Sequence, residues 1–332
     1  MEPTTRREFL EVSLASSAAA QSFPVLRRKD FEPAYLRLER TGELAKRVAE
    51  LYSIYKNCRL CPRQCGVDRT KGEKGVCTGT SRAKVYSAHP HFGEERPLVG
   101  RRGSGTIFFS NCNLLCVYCQ NWEINHRGDG SYASDETIGR LMTDLQDAGC
   151  HNINVVTPTH VLPNIIGGLR FAIRRGLRIP LVYNCGGYES LEALKLLDGI
   201  VDIYLPDFKY TDGALAAKYS SGARDYPERA AEAIQEMHRQ VGDLVVDENG
   251  IALRGLMVRH LVLPDNIAGT DKFVQFVAQK LSRSTYVNIM AQYRPAYKAA
   301  RIPELSRRIT TSEYNQAIRW AKEAGLTRLD PR

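Results

Sequence analysis

The chain has 332 residues, 43% hydrophobic and 25% charged, a globular composition that excludes disorder and collagen-like fibre. Lys and Arg outnumber Asp and Glu by 46 to 37, a net charge of +9. The basic residues are scattered (Arg101–Arg102, Arg174–Arg175, Arg307–Arg308), so they read as a solvated surface rather than a nucleic-acid groove, with an acidic ligand or partner left open.

Residues 1–30 read as a separate segment. Thr5–Leu10 contains Arg6-Arg7 and looks like a twin-arginine export signal, with Ala18–Ala20 as small residues for cleavage; a frayed terminus is the alternative. Leu26–Asp30 reads as a solvated linker. Residues 33–56 carry Tyr35, Leu36, Leu38, Leu44, Val48, Leu51, Ile54 and Tyr55 at helical spacing, which predicts one amphipathic helix laid on a larger body. A cysteine-rich loop follows, Cys58-x-x-Cys61-x-x-x-Cys65, closed after eleven intervening residues by Cys77, with Gly66, Gly72, Gly75 and Gly79 freeing the backbone to wrap a metal. His89, His91, Glu94 and Glu95 form a polar run whose roles are solvated or hydrogen-bonded rather than metal-binding. These features make residues 31–100 a helical and cysteine-rich extension. No apolar run approaches the roughly 20 residues that cross a bilayer.

From about residue 103 short apolar strands alternate with helices. The strands are Thr106–Phe109, Ile153–Val156, Leu181–Tyr183, Val201–Tyr204, Leu256–Leu263 and Tyr286–Met290. The helices are Asp135–Ala148, Val161–Arg175, Ser190–Leu197, Pro227–Val241, Asp271–Leu281 and Ser312–Ala324. Such alternation means an α/β fold with a parallel sheet, and six units fit an incomplete (β/α)6 barrel of the TIM type over residues 101–300, with a C-terminal helix in 301–332 packed on it. A doubly wound sheet is the alternative, although no Gly-x-Gly-x-x-Gly follows a strand. Polar residues end five of the strands: Ser110-Asn111-Cys112, Thr157–His160, Asn184–Gly187, Asp207–Lys209 and Gln292–Arg294. Carboxyl ends of parallel strands are where these folds build sites.

Nine cysteines, an odd count in a large chain, fall at metal-ligand spacing rather than as a disulfide framework. Cys112-x-x-x-Cys116-x-x-Cys119 places three thiolates on a loop after a strand. A [4Fe–4S] cube takes four cysteines, so three leave one iron open; a zinc site borrowing His126 is the alternative. Cys58, Cys61, Cys65 and Cys77 are enough to close a second site. Zinc there would be structural; an iron–sulfur cluster would be an electron relay or a substrate platform, and the spacing leaves both open. Cys150 reads as a buried small hydrophobe. Cys185, at the site edge, reads as packing first. His160 is placed to face a ligand, whereas His260, inside a strand, reads as a satisfied core histidine.

Cys112–Cys119, with Tyr118 just before the third cysteine, is similar to the signature of the radical S-adenosylmethionine superfamily. The resemblance implies a [4Fe–4S] cluster, S-adenosylmethionine chelated to its open iron, and reductive cleavage to a 5′-deoxyadenosyl radical that abstracts hydrogen. Gly103–Gln120, Asn152–His160, Tyr183–Tyr188, Gly199–Tyr210, Gly255–Pro264 and Asn288–Arg294 resemble the branch related to pyruvate formate-lyase activating enzymes. His91–Glu95, Cys119–Asn121, Thr157–His160 and Val258–Pro264 resemble its putative activating-enzyme paralogues. Asp207-x-Lys209 matches a pair that, with Tyr118, the resemblance assigns to S-adenosylmethionine; a surface ion pair is the plainer reading. Two departures stand out. Asn184-Cys185-Gly186-Gly187 lacks the carboxylate of the activases, and Tyr293-Arg294 replaces their Tyr-His.

By resemblance the reaction is hydrogen abstraction from a polypeptide partner, as in glycyl-radical activation, fed by an electron donor such as flavodoxin or ferredoxin. A radical enzyme acting on a small molecule or peptide is the alternative, and a non-catalytic zinc or nucleic-acid binder a further one. Such chemistry draws on cytoplasmic supplies, which points to the cytoplasm over export through Arg6-Arg7.

Overall fold

Short apolar strands, each followed by a helix that returns the chain to the same edge, align in parallel. The computed structural model describes residues 23–331. It contains β1 (Ala83–His91), β2 (Ser104–Phe109), β3 (Ser131–Ala133), β4 (Ile153–Val156), β5 (Leu181–Cys185), β6 (Ile203–Pro206), β7 (Val245–Val246), β8 (Ala252–Leu261) and β9 (Tyr286–Met290). The parallel set runs β2-β4-β5-β6-β8-β9. Strands β1 and β3 extend it antiparallel beyond β2, and β7 pairs antiparallel with β8. Among the described residues β9 does not pair with β2, so the six parallel strands do not close into a ring. This is the incomplete TIM-type α/β barrel expected. The twin-arginine-like motif and Ala18–Ala20 lie outside the described residues.

The helices are α1 (Ala34–Arg40), α2 (Glu43–Ser53), α3 (Arg96–Val99), α4 (Asp135–Asp147), α5 (Leu162–Arg174), α6 (Leu191–Leu196), α7 (Gly213–Tyr219), α8 (Tyr226–Val241), α9 (Thr270–Lys280) and α10 (Thr311–Glu323). Helix α10 starts in a Thr310–Glu313 capping box and packs against α9. The single helix expected over 33–56 is two. Gly42 adopts a left-handed φ of 76°, which breaks the helix while keeping Leu36, Leu38, Leu44 and Leu51 on the core. The Asp202 carboxylate accepts from Ala34 N at 2.8 Å and Leu181 N at 3.0 Å, fastening the start of α1 to the start of β5.

Leu26–Asp30 is not a free linker. Leu26 N donates to Val246 O, and Arg28 reaches the Asp247 carboxylate and His151 O. Strand β1 occupies the polar run containing His89 and His91. Its outer faces are half-exposed, so its polar content hid a strand that sits beside the barrel rather than inside it. No helix among the described residues is long and apolar enough to cross a membrane.

Candidate active site

The carboxyl ends of the parallel strands surround a cavity of about 830 Å³, a size that encloses a whole organic cofactor. Cys112, Cys116 and Cys119 line it together with Tyr118, Thr157, Asn184, Cys185, Asp207, Lys209 and Arg259. The loop after β2 turns sharply to bring its thiols inward: Asn111 and Leu115 have left-handed φ values of 78° and 49°, and Thr157 after β4 has 59°. Non-glycine residues avoid that region, and such strain collects at functional sites. Val117 N donates to Tyr219 O and Lys298 N donates to Val117 O, which pins the loop from both sides.

Each thiol has a polar neighbour. Leu114 N donates to Cys112 Sγ at 3.4 Å, Asn125 Nδ2 donates to Cys119 Sγ at 3.3 Å, and Ser220 Oγ lies 3.0 Å from Cys116 Sγ. Burial pushes the Cys112 thiol up to about 11 and raises Cys116 and Cys119 as well. In the metal-free chain the thiols therefore keep their protons, and binding a metal must release them. His126 does not complete this set; its Nε2 donates to Cys116 O at 3.0 Å, outside the cavity lining.

Lys209 Nζ meets Asp207 Oδ2 at 2.6 Å in the cavity wall. The pair is about three-quarters buried, so it is not a surface ion pair. Burial opposes the lysine's charge, yet the Asp207 carboxylate holds its pKa above the ordinary lysine value. The β5 and β6 ends touch at Gly187, where φ is 77° and a Cβ would stand 2.2 Å from Asp207 O, so only glycine lets the two loops approach. Tyr118 is buried in edge contact with Tyr210 and Tyr293.

The opposite wall is a charge network whose partners are far apart in sequence. Arg259 on β8 donates through Nε and Nη2 to Glu95 at 2.7 Å each, pairs with Glu94, and reaches Asn184 Oδ1 at 3.4 Å. Asn288 Nδ2 adds a 2.7 Å bond to Glu95. Glu95 is wholly buried; burial alone would raise its pKa, but Arg259 holds it below the ordinary carboxylate range. Glu94 and Glu95 thus have the hydrogen-bonded role expected, and they also line the cavity. Arg294 is exposed and outside the lining, so the arginine in the wall is Arg259 instead.

His160 does not face the cavity. It is buried, Nε2 donates to Ser110 O at 2.7 Å, and desolvation lowers its pKa to about 3. His260 is a satisfied core histidine, bonded to Phe208 O and Thr270 Oγ1 and stacked on Phe273. Cys150 is buried away from the cavity, whereas Cys185 is buried and lines it. Among the described residues all nine cysteines are free, and no three His, Cys, Asp or Glu side chains gather closely enough to hold a single metal ion. A cube of four irons and four sulfides spreads its thiolates wider than one ion does, and a set of soft thiolates suits iron–sulfur chemistry. The three cysteines of the cavity fit such a cluster.

Comparison with known proteins agrees with this geometry. Residues 106–248 match the family model of the Radical SAM superfamily. The chain belongs to the radical S-adenosylmethionine superfamily. It is 33% identical over 284 residues to the uncharacterized protein MJ0674 of Methanocaldococcus jannaschii, spanning 82% of this chain and 77% of that one. A second protein of that organism, the uncharacterized protein MJ0808, is 25% identical over 270 residues, 74% of this chain and 73% of its own. A radical SAM methyltransferase from Sphaerobacter thermophilus overlays 92% of this chain and 94% of its own at 13% identity, with a TM-score of 0.41, too low to carry an argument. Membership implies that the superfamily's [4Fe–4S] cluster and S-adenosylmethionine are the cofactors of this enzyme, which takes its electrons from a donor.

Proposed function

We propose that Cys112, Cys116 and Cys119 hold the [4Fe–4S] cluster of this radical S-adenosylmethionine enzyme, and that Asp207, Lys209 and Tyr118 hold S-adenosylmethionine beside it. Bound there, the two cofactors supply one-electron cleavage of the sulfonium and a 5′-deoxyadenosyl radical that abstracts hydrogen. The observation that carries the reading is the convergence of three thiols and the Lys209–Asp207 pair on one cavity at the strand ends. Lys209 offers a cation to a carboxylate, and Asp207 an acceptor to an ammonium or ribose hydroxyl. Tyr118, Leu114 and Leu115 line the cavity on the cluster loop and keep water from the reacting atoms.

The substrate reading is hydrogen abstraction from a polypeptide, as in the activation of glycyl-radical enzymes, supported by the motifs shared with that branch. Flavodoxin or ferredoxin is the proposed donor, the cytoplasm the proposed location, and Cys58, Cys61, Cys65 and Cys77 a proposed second metal centre. Arg259 already has two carboxylate partners, so it is not free to bind an anionic small molecule. The test is anaerobic reconstitution with iron and sulfide, followed by S-adenosylmethionine and dithionite. Formation of 5′-deoxyadenosine is expected, and its absence from a cluster-loaded sample would refute the reading.

A further inference from the structure

The four cysteines of the extension stand next to the cavity cysteines, and the contacts between the two loops are specific. Asn113 is the shared residue. Its Oδ1 lies 3.9 Å from Cys112 Sγ, and its Nδ2 is fixed on Tyr188 O at 2.8 Å. Arg63, between Cys61 and Cys65, donates to Asn113 O at 3.1 Å and to Ser220 O at 2.9 Å, and Ser220 is the neighbour of Cys116. Asn111 Nδ2 donates to Thr78 Oγ1, next to Cys77. The two cysteine loops are thus joined directly, through Arg63 at one end and Asn111 with Thr78 at the other.

A buried cation sits inside the outer set. Arg69 is 1% exposed, and among the described residues no carboxylate is paired with it. Its Nη1 donates to His160 O at 2.7 Å and its Nη2 to Cys77 Sγ at 2.9 Å, while Nε has no partner among the described residues; the guanidinium also lies over the Tyr55 ring. Besides Cys77, the groups whose negative charge would favour it most are Cys58, Tyr55 and Cys61. An arginine stays charged in proteins, and a charge taken out of water requires an opposite one. A thiolate-ligated metal centre supplies it. Zinc in such a site would be a closed structural knot, whereas an iron–sulfur cluster set against a second cluster can pass it an electron.

We infer that Cys58, Cys61, Cys65 and Cys77 bind an iron–sulfur cluster, counter-charged by Arg69, that relays electrons to the cluster in the cavity. This deepens the proposed function and rests on it for the destination of the electron. Four thiolates occupy every coordination site that such a cluster offers to protein, so it has no open iron for substrate and acts as a carrier. The step moves one electron and no atoms. A low-potential flavin or iron–sulfur protein is oxidised by one electron, the outer cluster is reduced and then reoxidised, and the cavity cluster ends reduced by one.

The test uses the full chain with Cys112, Cys116 and Cys119 replaced by Ser, reconstituted anaerobically with iron(II) and sulfide in the presence of equimolar zinc(II). Equal iron and acid-labile sulfide, two or four of each per chain, and an S = 1/2 resonance after reduction are expected. One zinc without sulfide, or no metal, overturns the assignment. In the unsubstituted chain, electron paramagnetic resonance of the fully reduced protein is expected to show spin–spin broadening absent from either cluster alone. A simple sum of two isolated signals overturns the relay. Finally, a chain with Cys61→Ser and Cys77→Ser should lose at least 10-fold in the rate at which reduced flavodoxin reduces the cavity cluster, followed by absorbance, while dithionite still reduces it. An unchanged flavodoxin rate overturns the relay. A chain that loads the outer cluster but never cleaves S-adenosylmethionine refutes the proposed function and leaves the outer site standing.

Discussion

Glu189, on the loop after β5, offers a quantitative check on the electrostatics beneath the site. Its side chain is wholly enclosed, accepting from Thr159 Oγ1 at 2.7 Å and Tyr183 Oη at 2.9 Å. Burial raises its pKa from 4.5 to about 7 despite those bonds. A carboxyl whose folded pKa exceeds its unfolded value binds its proton more tightly when folded. Its contribution to stability is then complete below pH 4.5 and is lost as pH rises through 7. A difference of this size is worth about 3 kcal/mol once both states are ionised. Glu189→Gln removes the titration while keeping one acceptor, and its amide can donate to whichever hydroxyl turns its oxygen inward. In urea titrations of the metal-free chain, the variant should match wild type near pH 4.5 and exceed it by about 3 kcal/mol at pH 8, the gap opening between those values. A pH-independent difference, or a variant weaker than wild type at pH 8, would refute the reasoning.

Cys116→Ala should abolish 5′-deoxyadenosine formation, because a cube left with two protein thiolates loses a corner; normal product yield by chromatography would count against the cluster assignment. Lys209→Ala should weaken S-adenosylmethionine binding by about 1.5–3 kcal/mol, the range for a charge-assisted hydrogen bond, with iron content unchanged. Unaltered affinity by calorimetry would remove the lysine from the cofactor site. Glu95 has the opposite linkage to Glu189. Its lowered pKa means its stabilising effect is complete above its ordinary value of 4.5 and is lost as pH falls through the folded value. Glu95→Gln should therefore destabilise the chain by about 2–4 kcal/mol at pH 7 and flatten the acid limb of the stability profile, read by circular dichroism; an unchanged acid limb would show that Arg259 does not depend on it.

The barrel was legible in the sequence because its strands are buried on both faces. Ile153–Val156 and Tyr286–Met290 read as near-continuous apolar runs, each interrupted by one Asn, and have those limits in the structure. Strand β1 was not, since half-exposure mixes His, Pro and Ser into it. The break at Gly42 was missed because apolar spacing continues across it. Asp207 and Lys209, placed after a strand, were singled out by the family resemblance, whereas Cys112, Cys116 and Cys119 could be found from local spacing. The Arg259–Glu94–Glu95 network could not, because its partners are separated by about 165 residues and only folding joins them. Arg69 carried no signal at all; a charged residue in a glycine-rich loop looks solvated until its burial is seen.

The Glu94–Glu95 wall makes the barrel impossible to lift out as a cassette. A fragment beginning at residue 101 keeps the strand-end thiols and the Asp207–Lys209 pair, yet it strips Arg259 of both carboxylates and leaves Asn184 as the partner still in place. It also removes the Arg63 bonds that brace Asn113 and the Arg69 bond to His160 O. Exchange of such an extension between relatives would have to carry β8 along with it. An arginine at position 259 in a recipient that lacks the acidic pair would sit as an unmatched charge in the wall facing the reaction.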